Sequence, residues 1–233
     1  MVDTNKQIQE LFDAKAHLGH KTSRVHPKAK RFIYSVENGI SIIDLIKTND
    51  LLETALKFIQ QLAKQNKKLL VVCTKRIAST KIQEICQKYS ISYVCSKWPA
   101  GLITNFETIT KNIKKLIQMR KDKEEGVWQK FVKHDRTKLE KQLSKLTKDY
   151  NGLTQLVKLP DALFVVDIKK ENNAVDEAGK LSIPVVAIAD TNIDPELVDY
   201  PIPANDDSLS SIEFITNLIV ESYVKHREDQ KAS

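Results

Sequence analysis

The stretch "KKLLVVCTKRIASTKIQEICQKYSISYVC", Lys67 to Cys95, decides the fold class. "KKLLVVC" is a short, nearly continuous apolar run rich in β-branched residues, the pattern of a strand covered on both faces. "STKIQEICQKY" predicts a helix and "ISYVC" a second strand. The alternation returns late in the chain, with "ALFVVD" as a strand, "NNAVDEAGKL" as a short helix, "IPVVAIAD" as a strand and "SSIEFITNLIVESYV" as a closing helix. Strands separated by helices imply right-handed crossovers and a mainly parallel sheet, so an α/β sandwich is expected.

Upstream, "FIYSVENGISIIDL" places apolar runs on either side of Asn38-Gly39, which tolerates the positive φ of a tight turn and predicts a hairpin. "TNDLLETALKFIQQLAKQ" spaces Leu52, Ala55, Leu56, Ile59, Leu62 and Ala63 as one helical face, with Thr48, Asn49 or Asp50 as N-cap. Between the two strand-bearing halves lies a segment without strand signal. There Ile109, Ile113, Leu116 and Ile117 mark one stripe and Leu139, Leu143, Leu146 and Tyr150 another, predicting an antiparallel helical hairpin closed through "DKEEGVWQKFVKHD". The expected organisation is a basic N-terminal arm or helix over 1–31, an α/β domain over 32–106 and 159–225, an inserted coiled-coil hairpin over 107–158 and a flexible tail over 226–233.

The 233 residues and 41% hydrophobic content suffice for a core without covalent staples. No run reaches the roughly 18 apolar residues of a membrane helix, and "MVDTNKQIQELF" has no apolar signal core, so a cytoplasmic protein is expected. Cys73, Cys86 and Cys95 lack CxxC spacing and read as buried, reduced thiols. The net charge of +7 is unevenly spread. Residues 111–158 carry 14 basic and 6 acidic side chains, whereas residues 159–233 carry 6 and 15. A basic insertion faces polyanions, and an acidic final third is open to a basic partner.

The six glycines never form a phosphate-cradling loop, which argues against dinucleotide or P-loop chemistry and against a bound cofactor. "HLGHKTSRVHPKAKRF", His17 to Phe32, invites a metal reading, but Gly19 and Pro27 point to an irregular segment and no cysteine or carboxylate completes a ligand set nearby. The flanking Lys15, Lys21, Arg24, Lys28, Lys30 and Arg31 favour phosphate contact, with a solvated basic loop as the plain alternative. Asp167 and Asp190 close two strands, where open α/β sheets place ligands. With Lys169 or Lys170 they form a catalytic or metal pair, or else they cap turns. Lys75 and Arg76 follow a strand and suit phosphate or plain solvent, and Trp98 beside Lys97 suits stacking on a base or packing under a proline turn.

Read together, "HLGHKTSRVHPK", "NGISIIDLIKT", "CTKRIA", "KWPAGLITNF", "LPDALFVVD", "IPVVAIADTNIDP" and "YPIPANDDS" resemble the bacterial small-subunit ribosomal protein number two family. The resemblance implies a Rossmann-like domain with an inserted helical hairpin. It also implies a non-enzymatic constituent of the small ribosomal subunit that binds its RNA and neighbouring proteins, among them the large, flexible first small-subunit protein. By motif, the positions carried over are His17 to His20 with Lys21, Arg24, Lys28 and Lys30; Thr74, Lys75 and Arg76; and Trp98, Gly101, Thr104 and Asn105. Val25-His26-Pro27 departs from a common Trp-Asn-Pro, Cys73 from a usual glycine, and Pro99-Ala100 from a usual residue-glycine step.

The expected RNA-facing set is therefore Lys15, His17, His20, Lys21, Arg24, His26, Lys28, Lys30, Arg31, Lys75, Arg76, Trp98 and Asn105, joined on the insertion by Lys111, Lys114, Lys115, Arg120, Lys121, Lys133, Arg136, Lys138, Lys141 and Lys145. No metal, cofactor, membrane or self-association is expected. The rival readings are an enzyme, a sugar-phosphate isomerase or nucleotide-dependent transferase using Asp167, Asp190 and Lys75, and a protein-only scaffold docked through the acidic final third.

Overall fold

A computed structural model describes residues 4–229. Its centre is a five-stranded parallel sheet of β4 (Leu69–Val72), β5 (Ser92–Val94), β6 (Ala162–Val165), β7 (Val185–Ala189) and β8 (Tyr200–Pro203) in the order β5-β4-β6-β7-β8. The order reverses between β4 and β6, and at that switch point open sheets leave a crevice at the strands' carboxyl ends. The expected α/β sandwich is present.

Alternation along the strands explains why the sequence shows unbroken apolar runs. Leu69, Val71, Phe164, Val186, Ile188 and Ile202 belong to one buried cluster, and Leu70, Val72, Leu163, Val165, Val185 and Ala187 to another, so both faces of the sheet are dry. The first face is covered by α1 (Thr4–Asp13), α2 (Leu45–Lys64), α3 (Ser79–Lys88) and α7 (Leu209–Asp229). The second is covered by α4 (Phe106–Glu124), α6 (Asn172–Lys180) and the turn carrying Leu153. Two details differ from expectation. Helix α2 starts earlier, because Asp44 Oδ1 accepts from the amides of Ile46 (3.0 Å) and Lys47 (3.5 Å). Thr48 and Asn49 thereby lie inside the helix, buried, with the Thr48 hydroxyl donating to the Pro203 carbonyl at 2.6 Å.

The N-terminal segment, expected to be irregular, contributes β1 (Leu18–Lys21), which pairs antiparallel with β3 (Ile40–Ile43); β3 pairs in turn with β2 (Ile33–Glu37). The β2–β3 turn is the expected Asn38-Gly39, with φ of 50° and 78°. Gly19 permits β1 its place: a Cβ there would stand 2.7 Å from Thr191 Cγ2. Helix α4 and α5 (Lys133–Tyr150) are in contact, joined through a short turn that buries Trp128. Helix α4 buries Ile109, Ile113, Leu116 and Met119, but α5 buries no residue fully, so a coiled-coil seam along the pair is not established. Residues 230–233 of the expected tail lie outside the described residues.

Candidate nucleic-acid interface

The crevice at the switch point is filled by the chain's own ions. Lys75, just past β4, places Nζ 2.7 Å from Asp206, 2.7 Å from Asp207 and 3.1 Å from Asp167. Burial acts to lower the Lys75 pKa, but its bonds to Asp206 and Asp207 prevail and hold it above the usual lysine value. Asp206, buried and crowded by Asp167 and Asp190, is pushed up to about 7. Asp190 accepts from the amides of Thr191 (2.5 Å) and Asp206 (3.2 Å) and lies 3.1 Å from His20 Nδ1, a bond that raises the histidine pKa. Asp167 accepts from the Lys170 amide at 2.9 Å, which fixes the turn before α6, while Lys170 Nζ donates to the Thr74 carbonyl. Lys169 is exposed beside it. The carboxylates suggested for catalysis are thus committed to turn amides and to internal cations.

His20, Asp190 and Asp206 each offer a ligand atom within 4.8 Å of the others, a spacing that one divalent ion could span. Such an ion would have to compete with Lys75 for Asp206 and with the His20 proton for Asp190. Carboxylates supplied by later elements therefore approach the first motif, a possibility that local spacing did not reveal. The other two histidines have separate tasks. His17 stacks on Phe12 with ring centroids 4.3 Å apart, and His26 Nδ1 accepts from the Lys28 amide at 3.4 Å.

Glu177 of α6 organises the loop after β5. Its Oε1 accepts from Trp98 Nε1 (3.0 Å) and the Gly101 amide (2.8 Å), and its Oε2 from the amides of Ile103 (3.0 Å) and Thr104 (3.2 Å) and the Thr104 hydroxyl (3.3 Å). Burial pushes the Glu177 carboxyl up, yet this ring of donors outweighs it and leaves the pKa below the ordinary value. Trp98, expected as a stacking platform, is only 6% exposed and serves as one of those donors. Asn105 precedes α4 and is exposed, its amide donating to the Gly101 carbonyl. No local pattern marks Glu177, because the groups that it binds lie more than 70 residues away.

The remaining cations fall into two classes. Lys28 pairs with Asp194 (2.8 Å) and Glu196 (2.7 Å), and Arg31 with Glu196 (3.2 Å). These contacts raise the Lys28 pKa and lower those of Asp194 and Glu196. On the insertion, Arg120 is tied to Asn151 Oδ1 at 2.8 Å, and Lys111, Lys121 and Lys138 make pairs within their own helix or its end. Lys114, Lys115, Lys133, Arg136, Lys141 and Lys145 are exposed and make no ion pair among the described residues. Lys15, Lys21, Arg24, Lys30 and Arg76 are exposed and unpaired in the same sense.

The acidic final third is largely consumed by these arrangements. Asp167, Asp206 and Asp207 face Lys75, Asp194 and Glu196 face Lys28, Glu177 holds its loop, and Asp199 accepts from the Val185 amide. A docking surface made of that charge as a whole is not what the chain presents.

The family model described as ribosomal protein S2 matches residues 11–225. A protein of Coprothermobacter proteolyticus named small ribosomal subunit protein uS2 is 44% identical over 224 residues, 96% of this chain and 84% of the relative. Proteins of the same name from Dictyoglomus thermophilum and Bdellovibrio bacteriovorus are 42% and 43% identical, covering 95% and 94% of this chain and 90% and 70% of their own.

Proposed function

The chain belongs to the ribosomal protein S2 family, and from that premise we propose that it is a structural, non-enzymatic constituent of the small ribosomal subunit, holding the subunit's RNA chiefly through the free cations of α4 and α5. The observation that carries the RNA assignment is the contrast in pairing. Lys114, Lys115, Lys133, Arg136, Lys141 and Lys145 project from two helices with no carboxylate partner among the described residues. Phosphates would supply the missing anions, and releasing their counterions would drive association. Even the paired Lys111, Lys121 and Lys138 are available, because exposed helical ion pairs hold only about 0.3–0.5 kcal/mol.

In this reading Lys15, Lys21, Arg24, Lys30 and Arg76 add a second phosphate-facing region, whereas His20 and Lys75 hold the fold's buried carboxylates and Lys28 and Arg31 are occupied by exposed ion pairs. The protein acts as a single copy in the cytoplasmic ribosome, beside neighbouring small-subunit proteins and the large first small-subunit protein. Among the described residues no helix is long and apolar enough to cross a membrane. Sedimentation of a gentle lysate at low and high salt tests the proposal. Co-migration with the small subunit, lost at high salt or after nuclease, is the expected result. Migration only as free protein would remove it.

A further inference from the structure

Where the insertion meets the sheet there is an open cavity of about 400 Å³. One wall is Lys97, Trp98 and Pro99 from the loop after β5; another is Asp149 and Tyr150 at the end of α5; Asn173 closes it from α6. The walls are held rigidly. Trp98 is hydrogen-bonded to Glu177, the Tyr150 hydroxyl accepts from Asn112 at 3.2 Å, and the Ser96 hydroxyl in the loop after β5 donates to the Lys148 carbonyl at 2.9 Å.

Its polar groups, by contrast, are idle. Among the described residues the Asp149 carboxylate, the Asn173 carboxamide and the Lys97 ammonium have no side-chain hydrogen bond or ion pair. A fixed aromatic wall with free polar groups around it suits a flat, polar-edged ligand, and each base stacked on an aromatic side chain gains about 1–3 kcal/mol. The edge chemistry narrows the choice. An ionised carboxylate only accepts, with two oxygens side by side. Of the four RNA bases, guanine alone presents two adjacent N–H donors on its Watson–Crick edge. Adenine and cytosine place an acceptor nitrogen beside their amino group, and uracil flanks its single N–H with carbonyls.

Position supplies the third argument. Lys141 and Lys145 lie eight and four residues before Asp149 on α5, so exposed cations run along the face of the helix that leads to the cavity. A strand whose phosphates follow those lysines would arrive with a base at the cavity mouth and Lys97 beside its backbone. We propose that the cavity receives one unstacked guanosine of the small-subunit RNA, its ring against Tyr150 and the edge of Trp98 and its donor edge on Asp149. This rests on the RNA-binding reading given above.

The test is zero-length ultraviolet crosslinking of the full chain to small-subunit RNA at low salt, followed by digestion and mass spectrometry. A guanosine monophosphate remnant is expected on the peptide carrying Tyr150 or the one carrying Trp98. Asp149→Asn should lower that yield about fivefold, the equivalent of one ordinary hydrogen bond, with both proteins compared at RNA concentrations that saturate them. If that variant does not fold, Asn173→Ala, on a different helix, should lower the yield in the same way. Association without adducts on these peptides, adducts of another base, or a guanosine yield indifferent to both substitutions would overturn the cavity assignment alone. No association at all would overturn the RNA reading with it.

Discussion

The cations at the carboxyl edge of the sheet and those on α4 and α5 look alike in a charge count, yet the structure treats them oppositely. Lys75 has three carboxylates within 3.1 Å, and Lys28 has two within 2.8 Å. Lys114, Lys115, Lys133, Arg136, Lys141 and Lys145 have none among the described residues. The acids that neutralise the first group come from the last third of the chain, so part of the −9 of residues 159–233 is spent on Lys28, Arg31 and Lys75, while Lys15, Lys21, Arg24 and Lys30 stay unpaired among the described residues. What counts for a polyanion is the charge left after folding, and that charge is concentrated on the insertion.

Reversal of Lys114, Lys115, Lys141 and Lys145 to glutamate attacks the free group. It should weaken association with small-subunit RNA by roughly a thousandfold at low salt, about 4 kcal/mol, while leaving the melting temperature nearly unchanged. Filter binding beside a thermal melt reads both. Lys75→Ala attacks the internal group and should do the converse. Leaving Asp167, Asp206 and Asp207 unopposed costs about 3 kcal/mol of folding stability. That corresponds to a fall of roughly 10 °C in melting temperature for a chain of this size, with RNA affinity per folded molecule retained.

Glu177→Gln sharpens the comparison at the joint between the regions. An amide brings one acceptor and an unwanted donor to five donors, so a loss of about 2 kcal/mol is expected in denaturant unfolding. The sign of its pH dependence follows from the depressed pKa. The Glu177 contribution is in place above the ordinary glutamate value and is lost as pH falls through the lower folded value, so the stability gap between wild type and variant should narrow as pH falls below the ordinary carboxylate range. The smallest effect belongs to Lys28→Ala. Its ion pairs are exposed, so neither the melt nor the RNA titration should change measurably.

The sheet was legible because its strands are short apolar runs whose two faces are both buried, and the hairpin because Asn38-Gly39 fixes its turn. Short β8 was not, since "YPIP" mixes two prolines with two apolar residues and forms an edge strand, where a missing amide is tolerated. Nor was β1, whose pairing with β3 depends on the close approach of Gly19 to Thr191. The insertion's lysines were legible as charge, and α4 and α5 carry them. Which cations stay free was not, because every neutralising partner of Lys75 lies at least 90 residues away in sequence. Glu177 was hidden for the same reason.

The salt dependence of RNA association tests the central claim most directly. Compare the wild-type chain with the variant carrying glutamate at Lys114, Lys115, Lys141 and Lys145, plotting log affinity against log salt. If the insertion carries the phosphate contacts, the slope should become shallower by about 3–4, at roughly 0.7–0.9 for each contact removed. An unchanged slope in this variant, with a loss instead on reversing Lys28, Arg31 and Lys75, would contradict the account.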